Sequence, residues 1–194
     1  MKYPENPVDL FRVWYADAEV AEDTLTNAAA LATATPDGRP SVRMILLKGW
    51  DDQGFVFYTN LESRKGLELE ANPHAAVCVH WKSLGRQVRI EGPVVPVSDA
   101  EADAYFASRD RQSRIGAWAS QQSRPLEGPL KLEREAACYA ARYAVGPVPR
   151  PDYWSGFRIN HEMVEFWHEK PFRLHERMVY TRQGDGWSTR YLFP

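Results

Sequence analysis

Residues 40–59, PSVRMILLKGWDDQGFVFYT, decide the fold. PSVRMILLK (40–48) is apolar and β-branched enough for a central strand. Asp51-Asp52-Gln53-Gly54 is a turn, and FVFYT resumes the extended run, so the stretch reads as a hairpin. Upstream, the small-residue strand AAALATAT (28–35) and the turn Pro36-Asp37-Gly38 make 40–48 the second strand of an earlier hairpin. Downstream, AAVCVHW (75–81) and QVRIEGPVVPV (87–97) pair around Ser83-Leu84-Gly85. Three strand-like runs, FRI, VEFWHE and RLHERMVYTR, then Gly184-Asp185-Gly186 and WSTRYLF, complete the tail.

Helices fall between these pairs. Asn6-Pro7 is a cap followed by proline at the first helical position, and Leu10, Phe11, Trp14, Tyr15 and Ala18 recur at helical spacing, which predicts a helix over about 7–20. ESRKGLELEA (62–71) reads as a short helix stopped by Asn72-Pro73. Ser98 to Glu101 is a capping box before a helix holding Tyr105 and Phe106, and a further helix is expected over 130–143. GPVPRP (146–151) is a proline-rich connector. Strands joined by short hairpins with helices inserted predict an α+β fold: an antiparallel barrel with peripheral helices, one domain over 1–194.

Composition narrows the function. The chain has 194 residues, 44% hydrophobic and 26% charged, enough to bury a core and stay soluble. No apolar run approaches the roughly 20 residues of a membrane-spanning helix, and MKYPENPVDLF lacks the pattern of a secretory signal. Cys78 and Cys138 are the only cysteines, so a disulfide scaffold is excluded and a reducing cytoplasm fits. The five histidines show no metal-ligand spacing, so no metal is expected. A net charge of −2 without a dense basic face argues against a nucleic-acid partner, and no membrane partner is expected. Arginines number 18 against 6 lysines, which either reflects codon bias or marks anionic ligands suited to a planar donor fork.

Three constellations carry chemistry. In YFASRDRQS, Tyr105, Arg109 and Ser113 are four apart and share one face of a helix, a donor stripe suited to a phosphate or a plain solvated face. In RLHER, a strand over 172–180 would project Arg173, His175 and Arg177 to one side, against either a ligand or cross-strand carboxylates. Arg43 and Lys48, five apart, lie on opposite faces of a regular strand, and Ser63-Arg64-Lys65 opens a helix whose free N–H groups and cations suit a phosphate. The helix dipole disfavours cations there, which makes the pair notable, although an ordinary basic turn remains open.

Taken together, RMILLKGWDDQGFVFYTNLESRKG, GRQVRIEGPV, YFASRDRQSRIGAWASQQS, EFW and RLHER occur in order and resemble the pyridoxine/pyridoxamine 5'-phosphate oxidase family from about Leu10 to Pro194. The resemblance implies a split β-barrel homodimer, with FMN in a cleft between subunits and a dimerisation and substrate segment over about 150–194. The flavin contacts it implies are Arg43, Lys48, Tyr58, Thr59, Arg64, Lys65, Gln87, Gln122, Ser123, Trp167 and Arg177. The substrate phosphate would be held by Lys48, Tyr105, Arg109 and Ser113, with Arg173 and His175 over the pyridine ring near the reacting carbon. The implied reaction is oxidation of pyridoxamine or pyridoxine 5'-phosphate to pyridoxal 5'-phosphate, with O2 as acceptor and H2O2 released.

Departures from the family pattern are Glu176 where aspartate is common, Gly85 where a charged residue is usual, and an N-terminal lid expected to be short or missing. The alternatives are a flavin oxidase of the phenazine-pathway type and a non-catalytic FMN- or pyridoxal-phosphate-binding protein. Retention of Tyr105, Arg109 and Ser113 argues against the first, and the Arg173–His175 pair against the second.

Overall fold

The chain opens where its sequence predicts. In this computed structural model, which describes residues 3–128 and 130–194, Asn6 accepts from Val8 N and Pro7 starts helix α1 (Pro7–Ala21). The helix buries Val8, Leu10, Phe11, Trp14 and Ala18. Phe11 meets Phe55 edge-on at 5.0 Å and lies 5.7 Å from Trp81, so this face covers apolar side chains from inside the barrel.

Six strands close that barrel, with Pro40–Leu46 and Gly49–Asp51 counted as one. β1 (Ala28–Ala34) pairs antiparallel with β2 (Pro40–Leu46), which continues into β3 (Gly49–Asp51) and turns into β4 (Gly54–Asn60). β5 (His74–Trp81) pairs with β1 and with β6 (Arg86–Pro96); β7 (Trp154–Ile159) joins β6 to β4. The seam between β2 and β4 is drawn together by Lys48 N donating to Val56 O at 2.8 Å. The expectation that 40–48 is a central strand is corrected: β2 has a full ladder only with β1, and Val42 and Met44 are exposed.

β6 serves two sheets. Its first half pairs with β8 (Met163–His168) and its last residues pair with β7. The fork lies at Gly92, bracketed by Asn160 N donating to Pro93 O and Glu162 N donating to Glu91 O. A Cβ at Gly92 would stand 2.1 Å from Asn160 O, so only glycine lets the two chains separate there. Beyond β8, β9 (Glu176–Gln183) and β10 (Gly186–Leu192) extend the sheet, with Met178 and Tyr180 buried in the same core as the barrel and α1. Helices α2 (Arg64–Ala71), α3 (Asp99–Ser108), α4 (Arg111–Ala119) and α5 (Lys131–Arg142) lie between strand pairs, giving an α+β split barrel with peripheral helices. Among the described residues, no helix is long and apolar enough to cross a membrane.

Candidate active site

A cavity of about 660 Å³ opens where the end of β2, β4, α2, the α3–α4 junction and the start of β7 converge. Its wall carries three cations, Lys48, Lys65 and Arg109, against one carboxylate, Asp110, together with Tyr58, Thr59, Tyr105, Ser113 and Gln122. Lys65 is 8% exposed, yet among the described residues its ammonium meets no carboxylate: Nζ donates to Gln122 Oε1 at 2.8 Å, Thr59 Oγ1 at 3.0 Å and Ser63 Oγ at 3.3 Å. Burial, and then the nearby Arg43 charge, push its pKa down to about 8. A desolvated cation with only neutral partners is primed for an anion.

Arg43 and Arg64 are not brought into that wall; both turn onto Glu68. This carboxylate, 5% exposed, accepts from Thr33 Oγ1 and Ser41 Oγ at 2.5 Å each, Arg64 Nε at 2.8 Å and Arg43 Nη2 at 3.3 Å. Burial alone would raise its pKa, but the hydrogen bonds from Ser41, Thr33, Arg64 and Arg43 prevail and hold it at about 2. The unfavourable Arg64 charge at the start of α2 is thereby offset one turn later, while Lys65 is not. Sequence reading missed Glu68; the four-residue spacing from Arg64 was its available signal.

The helix stripe of Tyr105, Arg109 and Ser113 is corrected in its local structure. α3 ends at Ser108, Arg109 is extended at φ −71, ψ 150, and Asp110 caps α4 by accepting from Ser113 N at 2.8 Å. An aspartate whose side chain bonds the backbone three residues on starts a new helix rather than continuing the old one. The three side chains nevertheless line the same cavity. Tyr105 stacks on Tyr58 at 3.9 Å, and burial followed by the Glu101 charge pushes the Tyr58 hydroxyl up to about 12. The Arg109 guanidinium lies 4.9 Å over Trp154; its Nη1 is buried with no hydrogen-bond partner among the described residues.

A second set of expected contacts lies elsewhere. Gln87, Trp167 and Arg177 stand opposite one another across β6, β8 and β9, forming one row. Arg177 donates to Glu165 at 2.8 and 3.3 Å and to Phe193 O at 3.0 Å. His175 is 4.7 Å from the Trp167 ring, and its Nδ1 accepts from Lys170 N. The expected strand over 172–180 is corrected: Pro171–Arg173 is a tight turn with φ +60 at Phe172 and +62 at Arg173, and β9 starts only at Glu176. Pro171 and the strained turn break period-two alternation, so Arg173 and His175 do not follow Arg177 along a strand face. None of this second set lines the cavity, nor does Ser123, which sits exposed at φ +71 in the turn after Gln122.

Comparison with known proteins gives this geometry a context. The family model described as pyridoxamine 5'-phosphate oxidase matches residues 17–137, and one described as pyridoxine 5'-phosphate oxidase C-terminal dimerisation region matches residues 154–194. A curated pyridoxine/pyridoxamine 5'-phosphate oxidase of Rhodospirillum rubrum is 65% identical, over 97% of this chain and 96% of its own. One of Gluconobacter oxydans is 61% identical, over 97% and 94%. The crystal structure of PhzG from Burkholderia lata, in complex with tetrahydrophenazine-1-carboxylic acid, superposes at a TM-score of 0.93 with 38% identity over 98% of this chain and 94% of that one. An FMN-binding protein of Nostoc punctiforme shares the fold at TM-score 0.75 and 18% identity, over 95% and 97%. Matches spanning both the barrel and the strand extension place the chain in the pyridoxamine 5'-phosphate oxidase family.

Proposed function

We propose that the protein oxidises pyridoxamine 5'-phosphate, pyridoxine 5'-phosphate or both to pyridoxal 5'-phosphate, using bound FMN and dioxygen and releasing hydrogen peroxide. The observation that carries this reading is the cation-rich cavity in which Arg109 keeps a buried, unpartnered nitrogen beside Tyr105, Ser113 and Lys48. Such a donor set fits a phosphate monoester, and the aromatic wall fits a planar ring.

The same donors fit FMN. Lys65, Thr59 and Gln122 form a bonded group without a carboxylate, and the charge of Arg43 is near enough to lower the Lys65 pKa. Lys48, Tyr58, Thr59, Lys65 and Gln122 would hold the flavin from this chain, with Arg43, Arg64 and Ser123 at its margin. FMN supplies the hydride acceptor and the route to dioxygen. Lys48, Tyr105, Arg109 and Ser113 grip the substrate phosphate and so fix the C4' carbon. Arg173 and His175 orient the pyridine ring. Because His175 Nδ1 accepts from Lys170 N, a neutral ring carries its proton on Nε2. Loss of hydride from an amine substrate leaves an imine, which water hydrolyses to the aldehyde and ammonia; an alcohol substrate gives the aldehyde directly.

The two separate residue sets support assembly as a homodimer, in which a second copy brings Gln87, Trp167, Arg173, His175 and Arg177 to the cavity. The matched C-terminal dimerisation region, residues 154–194, contains four of those five. The phenazine-pathway alternative has weaker support: PhzG is 38% identical, whereas the relatives at 60–65% are pyridoxine/pyridoxamine 5'-phosphate oxidases.

The test is direct. Purified protein should show flavin absorbance and release peroxide with pyridoxamine or pyridoxine 5'-phosphate. A colourless protein that cannot be loaded with FMN overturns the reading; a yellow protein inert to both substrates favours the alternatives.

A further inference from the structure

Arginines that bind anions are commonly held in place by a carboxylate, which also cancels part of their charge. Arg109 is held differently. Its guanidinium sits 4.9 Å over Trp154 and 5.5 Å over Phe106, and Nη1 is buried without a partner among the described residues. The adjacent carboxylate of Asp110 accepts from Ser113 N at 2.8 Å and acts on Arg109 only through its charge, with no hydrogen bond between them among the described residues. Trp154 is 6% exposed at the start of β7, and it stacks nearly parallel to Tyr58 at 5.5 Å and to Tyr105 at 6.1 Å. One indole therefore touches the cation of the donor set and aligns the ring of its phenol.

We propose that Trp154 is a positioning residue for phosphate recognition, taking the place of a carboxylate beneath Arg109 so that the guanidinium is fixed but not neutralised. The ring face attracts the cation through its quadrupole and occupies none of its N–H donors, leaving Nη1 for the ligand. Its stack with Tyr58 and Tyr105 sets the phenol of the same grip. A merely structural tryptophan would support all ligands of the cavity equally; this one acts only on those with a phosphate. The inference rests on the phosphate-gripping role proposed above for Arg109.

The experiment compares anaerobic calorimetric titrations of pyridoxine 5'-phosphate and unphosphorylated pyridoxine on the protein as isolated, for the wild type, Trp154→Phe, Trp154→Leu, Arg109→Ala and the corresponding double variants. Trp154→Leu should cut the preference for the phosphorylated form about tenfold, which is about 1.4 kcal/mol. Trp154→Phe should cut it two- to threefold. In the Arg109→Ala background the effect of either substitution should shrink to the part carried through Tyr105. Where turnover is measurable, KM for the phosphorylated substrate should rise in Trp154→Leu with kcat within twofold.

An unchanged preference in Trp154→Leu, equal losses for both ligands, or a full loss repeated in the Arg109→Ala background would overturn the inference. If Trp154→Leu does not fold, Trp154→Phe is read in the same cycle, and no loss there overturns it. Wild-type protein without phosphate preference also overturns it. Phosphate preference that depends on Trp154, in a protein that releases no peroxide, overturns the proposed oxidation and leaves this inference standing.

Discussion

Arg64 Nε lies 2.8 Å from Glu68 Oε1, one turn further along α2, so the cation that opens the helix is tied to a carboxylate buried against the barrel wall. Glu68 titrates at about 2 when folded and near 4.5 when unfolded. A depressed folded pKa gives stability that is present above pH 4.5 and lost as pH falls toward 2. The shift corresponds to roughly 3 kcal/mol. Urea unfolding between pH 2.5 and 6 should show that loss in the wild type and a flatter profile in Glu68→Gln. Identical slopes would refute this account of Glu68.

His161 acts in the same sense, in a higher pH window. It is 6% exposed, stacked 5.1 Å from Trp187 and edge-on to Phe55, with both ring nitrogens unpartnered among the described residues. Burial, and then the Arg182 charge, lower its pKa to about 4, with Asp51 and Asp52 opposing. Between pH 6.5 and 4 the unfolded chain binds the proton and the folded one does not, so stability falls through that window by roughly 3 kcal/mol. His161→Leu should remove this slope and make the protein more stable than the wild type at pH 5 in the same unfolding measurement.

Arg173 sits in a left-handed turn, exposed and outside the cavity of its own chain. Arg173→Ala should therefore leave flavin stoichiometry, read from absorbance, near that of the wild type, while turnover falls on the order of 100-fold through lost charge stabilisation and orientation. Unchanged steady-state rates would remove Arg173 from the proposed mechanism.

Gly92→Ala tests the fork in β6. The added methyl would meet the Asn160 carbonyl at 2.1 Å, and a backbone atom has little freedom to move aside. The cost should be about 3 kcal/mol, at the upper end for overpacking, and thermal melting should detect it. Gly116→Ala, where a Cβ meets nothing within 4 Å, is the matched control.

The barrel was legible because its hairpins are local: period-two runs and turn residues sit side by side in the chain, and Asn6-Pro7 and Ser98 cap the helices they precede. The donor stripe was legible in membership but not in shape, because the Asp110 side chain competes with the helix for its own backbone. RLHER was misjudged because Pro171 starts a tight turn that delays β9 to Glu176. Glu68 shows in the sequence only through its spacing from Arg64, because Thr33 and Ser41 reach it only after β1 and β2 have paired. The division of the expected contacts into two sets arises from strand pairing across more than 60 residues, which no local pattern encodes.

The fork has a mechanical side. Since β6 runs unbroken from the row that holds Gln87 to its pairing with β7, barrel and extension are two ends of one beam rather than bodies joined by a flexible link. Bending the extension must stretch ladder hydrogen bonds along β5 and β8, which is far stiffer than turning about a loop. The position of the Gln87–Trp167–Arg177 row relative to the barrel is thus set once, when the chain folds.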